Sequence, residues 1–160
     1  MARPRLLLYL LLPLLLLVQE QARAAAPAVR VETVAAARAG AARVVAAHRY
    51  EAHVTLWLEA ADGTLTPSGW STRAEHRGDG RPFAFQPGQG LIEGWTRGVL
   101  EMAEGERAKI HVPYELGYGT REQGSKGGPW HIPAKSNLLF DIEILGKAGA
   151  KALEEDSKEL

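Results

Sequence analysis

The 160-residue chain contains no cysteine. Disulfide staples and thiolate chemistry are therefore both excluded. The absence says nothing about compartment, because a domain with an adequate core needs no disulfides. Charge imbalance is missing too: 19 Lys and Arg stand against 19 Asp and Glu, so the basic footprint of a nucleic-acid binder is absent and no partner of that class is expected. The five histidines, His48, His53, His76, His111 and His131, never fall at H-x-x-H or H-E-x-x-H spacing, which leaves a metal site unsupported. "GTREQGSKGG" lacks the Gly-Lys-Ser/Thr ending of a phosphate loop, and "GQGLIEG" is not framed as a dinucleotide fingerprint would be. "PSGWS" is not the G-x-S-x-G of a nucleophile elbow. No covalent nucleophile stands out, no cofactor is implied, and no segment repeats.

What is present begins with "MARPRLLLYLLLPLLLLVQEQARAAAP". Arg3 and Arg5 precede an apolar run from Leu6 to Val18, and small residues follow around Ala22 and Ala24. Basic, apolar, small is the order of a signal peptide, and cutting after Ala24 satisfies its A-x-A pattern. The run is about thirteen residues long, short of the roughly twenty that a spanning helix needs, and no later stretch is apolar enough to span a bilayer. Residues 1–24 therefore read as a signal, 28–147 as one domain, and 148–160 as a charged tail. That tail ends Ser157-Lys158-Glu159-Leu160 and keeps the last two residues of K-D-E-L, the return address to the endoplasmic reticulum. The expected location is the lumen of the endoplasmic reticulum, with secretion as the alternative.

"VRVETV" alternates as an edge strand, and "AHVTLWLEA" alternates with β-branched and aromatic residues up to the turn at Asp62-Gly63. The Ala-rich stretch between them is ambiguous: Ala favours helix, but Gly40 interrupts it. Residues 62–82, rich in Gly, Pro, Ser and Thr, read as a long surface loop, and "FAF" at 83–85 as a short strand. Leu91, Ile92, Trp95, Val99 and Met102 fall close to helical spacing, which predicts a short helix despite Gly94 and Gly98. "RAKIHVP" alternates as a strand, and "YELGYGTREQGSKGGPWHIPAKS" reads as a Gly-rich loop of a length that is usually functional or disordered. "NLLFDIEILGK" sets Leu138, Phe140, Ile142 and Ile144 against Leu139, Asp141 and Glu143, a half-buried antiparallel strand. Several strands, one short helix and large loops make an α+β domain with an antiparallel sheet packed on the helix.

Among the aromatics, Phe83, Phe85, Trp95, Tyr118, Trp130 and Phe140, most read as core, since aromatic rings bury large areas. Trp95 and Tyr118 differ in context. Trp95 opens the helix behind Gly94, and Tyr118 lies between two glycines in a loop. The run Leu91-Ile92-Glu93-Gly94-Trp95, Gly98-Val99, Met102, Gly105-Glu106, Val112-Pro113, Glu115-Leu116-Gly117-Tyr118-Gly119, Ile132-Pro133 and Leu138 to Leu145 resembles the FKBP family, the macrolide-binding peptidyl-prolyl isomerases. The likeness spans about residues 83 to 146.

That resemblance implies a bent antiparallel sheet wrapped around one short helix. It implies a substrate pocket made by Phe83, Leu91, Ile92, Trp95, Tyr118, Ile132 and Phe140, with Trp95 as floor and Tyr118 as polar rim. The Ile92 N–H and the Tyr118 hydroxyl would donate to ligand carbonyls, so the catalytic set implied is Tyr118, Ile92 and Trp95. The partners implied are proline-containing polypeptide clients and macrolide ligands. The function implied is prolyl isomerisation assisting folding in the secretory pathway; the alternative is an FKBP-like binding or chaperone module with little turnover. Such catalysis needs no metal or nucleophile: a dry aromatic cleft disfavours the planar, polar amide relative to the twisted one, and catalysis is differential binding of that state. The first half departs from the family pattern. Of the usual H-Y-T-G, Val54 stands where the Tyr is expected. Of the usual D-G-x-x-F-D-S-S, the pocket Asp has no counterpart, and Trp70 is the candidate replacement for the Phe. Extra residues from Ser125 to Trp130 place Trp130 and His131 where they would reshape the rim.

Overall fold

The computed structural model describes residues 26–149; the signal reading, and the tail reading from residue 150 onward, fall outside the described residues. Eight strands and one α-helix follow in chain order: β1 (Arg30–Ala35), β2 (Tyr50–Glu59), β3 (Leu65–Ser71), β4 (Phe83–Phe85), α1 (Glu93–Leu100), β5 (Arg107–Val112), β6 (Gln123–Gly124), β7 (His131–Ile132) and β8 (Asn137–Lys147). The main sheet runs β1-β5-β8-β2-β3, and β4 pairs with β2 beside β3. Every pairing in it is antiparallel. β6 and β7 form a separate two-stranded ladder.

The two longest strands, β2 and β8, pair from Tyr50 opposite Lys147 to Glu59 opposite Asn137. Their alternation sends Ala52, Val54 and Leu56 to the same face as Phe140, Ile142 and Ile144. Ala108, Ile110 and Val112 of β5 join them, and Trp95, Val99 and Met102 close the core from the helical side. Leu139, on the other face of β8, is also buried, between its register partners Trp57 and His111.

α1 lies close to β5 because two helix positions carry no side chain. A Cβ at Gly94 would come within 2.2 Å of Val112 Cγ1, and one at Gly98 within 2.4 Å of Ile110 Cγ2. The glycines that weaken the helix in isolation are what let it seat on the sheet.

Two stretches differ from the sequence reading, and a third, left ambiguous there, takes a definite form. Residues 62–82 are not one loop, since they hold β3 and a 3-10 turn at Ala74–His76. β3 reads poorly because it is irregular. Thr55 opposes Ser71 but Trp57 opposes Pro67, so the strand bulges over residues 68–70. There the Ser68 hydroxyl donates to the Leu56 carbonyl at 2.7 Å, satisfying backbone that the ladder leaves open. The stretch 114–136 holds a 3-10 turn at Tyr114–Leu116 and the β6–β7 ladder. The Ala-rich segment forms no helix. It runs beside the turn after α1, with Val44 N–H donating to Met102 O and Glu104 N–H to Ala42 O.

Candidate binding cleft

One concave face of the sheet, the start of α1 and the loops beyond β5 enclose a cleft of about 210 Å3. Its walls are Leu56, Trp70, Phe83, Gly90, Leu91, Ile92, Trp95, Tyr118, Trp130, Ile132 and Phe140. All seven residues expected at the pocket, Phe83, Leu91, Ile92, Trp95, Tyr118, Ile132 and Phe140, are brought together there. Four others complete it. Leu56 and Gly90 were not singled out by sequence. Trp70 was noted only as a departure from the family pattern, and Trp130 as one of the aromatics and as part of the departing loop.

Trp95 sits at the base, 3 % exposed. Its indole meets three phenylalanines edge to face: Phe140 at a ring-centroid distance of 5.0 Å, Phe85 at 5.6 Å and Phe83 at 5.9 Å. Aromatic rings prefer this geometry because a positive edge meets a negative face. Trp95 Nε1 is buried and has no hydrogen-bond partner among the described residues. Trp70, from β3, closes the side wall by meeting Phe83 edge to face at 5.9 Å.

The residues before α1 form the opposite wall. Gly90 adopts a φ of +65°, and Ile92 is extended before the helix begins. The first helical bond runs from Thr96 N–H to Ile92 O at 3.2 Å. No side chain caps this end, so the first N–H groups of α1 find no partner within the helix, and Ile92 and Trp95 at this end both line the cleft.

Tyr118 is fixed by its neighbours. Gly117 and Gly119 N–H groups both donate to Tyr114 O, at 3.1 and 2.9 Å, and Lys135 N–H donates to Gly119 O at 2.8 Å. A Cβ at Gly117 would stand 3.2 Å from Leu138 Cδ1, so glycine there lets the loop lie against β8. Partial burial pushes the Tyr118 hydroxyl's pKa above its usual value, so at neutral pH it is a protonated donor. Among the described residues, no carboxylate, histidine, lysine or arginine lines the cleft.

Val54, which stands where the family pattern has a Tyr, does not line the cleft; Leu56 does. Both side chains face inward, but Leu56 lies opposite Phe140, at the cleft, while Val54 lies opposite Ile142, within the core. One expectation is corrected: His131 does not line the cleft; its Nε2 points to Glu122 Oε2 at 3.5 Å.

Behind the cleft, on the other face of β8, lies a charge cluster. Arg107 Nε and Nη2 donate to the two oxygens of Asp141, each at 2.8 Å. Arg73, buried, donates from Nη1 to Glu143 at 3.0 Å. Burial pushes the Asp141 carboxyl up, but the Arg107 hydrogen bonds, with the charges of Arg107, Arg73 and Lys109, outweigh it and hold the group below the usual carboxylate range.

A model of the FKBP-type peptidyl-prolyl cis-trans isomerase family matches residues 40–145. The chain is 46% identical over 68 residues to FK506-binding protein 2 of Dictyostelium discoideum, covering 42% of this chain and 47% of that protein. It is 46% identical over 66 residues to the peptidyl-prolyl cis-trans isomerase FKBP2 of Homo sapiens, covering 41% of this chain and 43% of that one. In both cases it spans less than half of the relative's length. A crystal structure of AtFKBP13 superposes with a TM-score of 0.59 at 31% identity, over 75% of this chain and 93% of that one.

Proposed function

The chain belongs to the FKBP-type peptidyl-prolyl cis-trans isomerase family, and from that premise we propose that it binds proline-containing polypeptides in the cleft and speeds their cis–trans exchange. The observation that carries this reading is the floor of edge-to-face rings around Trp95, set in an apolar cleft beside the Tyr118 hydroxyl. The barrier is about 18–20 kcal/mol because amide resonance keeps the peptide planar. Uncatalysed X-Pro exchange takes tens to hundreds of seconds. The twisted amide carries less charge separation than the planar one. An apolar cleft therefore favours it relative to the ground state, and only that difference accelerates the reaction. The Tyr118 hydroxyl and the Ile92 N–H supply hydrogen bonds to the carbonyls flanking the proline. Trp95, Phe83, Phe140, Leu91 and Ile132 surround the ring. The same cleft is the proposed site for macrolides, a ligand type for which the Dictyostelium relative is named.

One observation favours a second reading. No carboxylate lines the cleft, and the family pattern places an Asp there. A binding or chaperone module with slow turnover would share every wall residue described. The basic, apolar, small order of residues 1–24 supports placing either activity in the lumen of the secretory pathway.

NMR exchange spectroscopy on a short X-Pro peptide separates the two readings. The expected result is acceleration by the protein that falls severalfold in both Tyr118→Phe and Trp95→Ala. Exchange at the uncatalysed rate from folded protein would overturn the isomerase reading and leave the binding module.

A further inference from the structure

The segment Pro129–Trp130 is seated by two glycines from different strands. A Cβ at Gly69, in the β3 bulge, would come within 2.3 Å of Pro129 O and 3.0 Å of Trp130 Cα. One at Gly124, in β6, would come within 2.5 Å of Trp130 O and within 2.7 and 2.9 Å of indole Cε3 and Cζ3. Both glycines have positive φ, +86° and +74°, where other residues are strained. The backbone around Trp130 is thus held against β3, and its ring lies across the backbone of β6.

That placement puts the Trp130 indole on the cleft wall. The indole and phenyl rings of the cleft other than Trp130 already have partners: Trp70 meets Phe83, Phe83 meets Trp95, and Trp95 meets Phe140. The Tyr118 ring makes no pair among the described residues, but its hydroxyl is the group assigned to the ligand. Trp130 makes no ring pair among the described residues, although it packs against the core at its edge. An aromatic side chain seated at a binding cleft, with no ring of its own to meet, leaves the edge-to-face or offset geometry that aromatic pairs prefer open to a ring on the ligand.

We propose that Trp130 is a specificity-determining residue, one that selects polypeptides carrying an aromatic side chain beside the proline over those carrying an aliphatic one of similar bulk. This deepens the proposed function and rests on it. The selection acts through ring geometry rather than through buried area. Leu and Phe bury comparable apolar surface, but only Phe gains the edge-to-face or offset contact. One aromatic pair contributes enough to give about a two- to tenfold preference beyond burial.

The test uses peptides Ala-X-Pro-Ala with X as Leu or Phe. NMR exchange reads turnover, and chemical-shift titration on the same samples reads affinity. The expected result for the unaltered protein is a two- to tenfold preference for Phe over Leu in both measurements. Trp130→Ala and Trp130→Leu should each bring that ratio close to one. Tyr118→Phe should lower both rates and leave the ratio in place. Trp130→Leu keeps an apolar side chain of large volume, so it remains informative if Trp130→Ala does not fold. An unaltered protein that does not distinguish Phe from Leu would overturn the proposal, as would a ratio that survives both Trp130 variants. If turnover is absent while the affinity ratio behaves as expected, the isomerase reading fails and the role of Trp130 stands.

Discussion

The indole of Trp95 and the ring of Phe140 meet edge to face with centroids 5.0 Å apart and planes at 78°. One ring comes from the only α-helix among the described residues, the other from β8, the middle strand of the main sheet. Their contact joins helix to sheet and also forms the base of the cleft. Replacing Trp95 with Ala removes the hub of three ring pairs. The expected loss is about 3–5 kcal/mol of stability, the usual cost of truncating a buried aromatic. Urea denaturation measures it, and a loss under about 1 kcal/mol would show that the packing around this ring is dispensable.

Gly98→Ala tests how α1 seats. Alanine favours helix over glycine by about 1 kcal/mol in isolation. Here its methyl would meet Ile110 Cγ2 at 2.4 Å, so overpacking should win and the variant should lose about 1–3 kcal/mol. The same change made in an Ile110→Ala background should cost less, because the clashing atoms are gone. Equal cost in both backgrounds, read by a double-mutant cycle, would show that the two residues do not meet.

Asp141 predicts a pH dependence. Its carboxyl is held below the usual range in the folded protein, chiefly by Arg107 against the opposing effect of burial. The unfolded chain therefore takes up the proton first as the pH falls. The stabilisation is complete above the ordinary Asp value of about 4 and is lost as the pH drops through the lower folded value. Asp141→Asn should reduce stability at pH 7 and flatten this part of the acid decline. Urea midpoints of the two proteins that fall in parallel between pH 7 and pH 3 would contradict the assignment.

Deleting Lys158 to Leu160 should raise the amount of protein secreted from expressing cells, if the terminal Glu-Leu pair is read as a retrieval address. Immunoblotting of medium against cell lysate measures the ratio, and an unchanged ratio would remove the retention reading.

Much of this was legible in residue patterns. β2 and β8 alternate cleanly because each has one face on the core and one on charged or mixed surroundings. The short helix showed through its apolar spacing, although Gly94 and Gly98 argued against it. Their role is invisible without β5, since a glycine chosen for close approach looks the same in sequence as one that breaks a helix. β3 was missed because its Pro67, Ser68 and Gly69 are loop-forming residues, which an edge strand with a bulge accommodates. The cleft residues near α1, Tyr118 and β8 could be read from the family pattern. Leu56 could not, because Val54 and Leu56 share a face, and only the register with β8 tells which reaches the cleft.

The pairing of β2 with β8 joins residues 50–59 to residues 137–147. During synthesis the first of these leaves the ribosome long before the second. Until β8 arrives, β2 and β5 lack the strand that lies between them, Trp95 lacks Phe140, and the cleft has no base. Contacts so distant in sequence make folding slow. A polypeptide of this fold therefore completes its cleft only once its own last strand is in place.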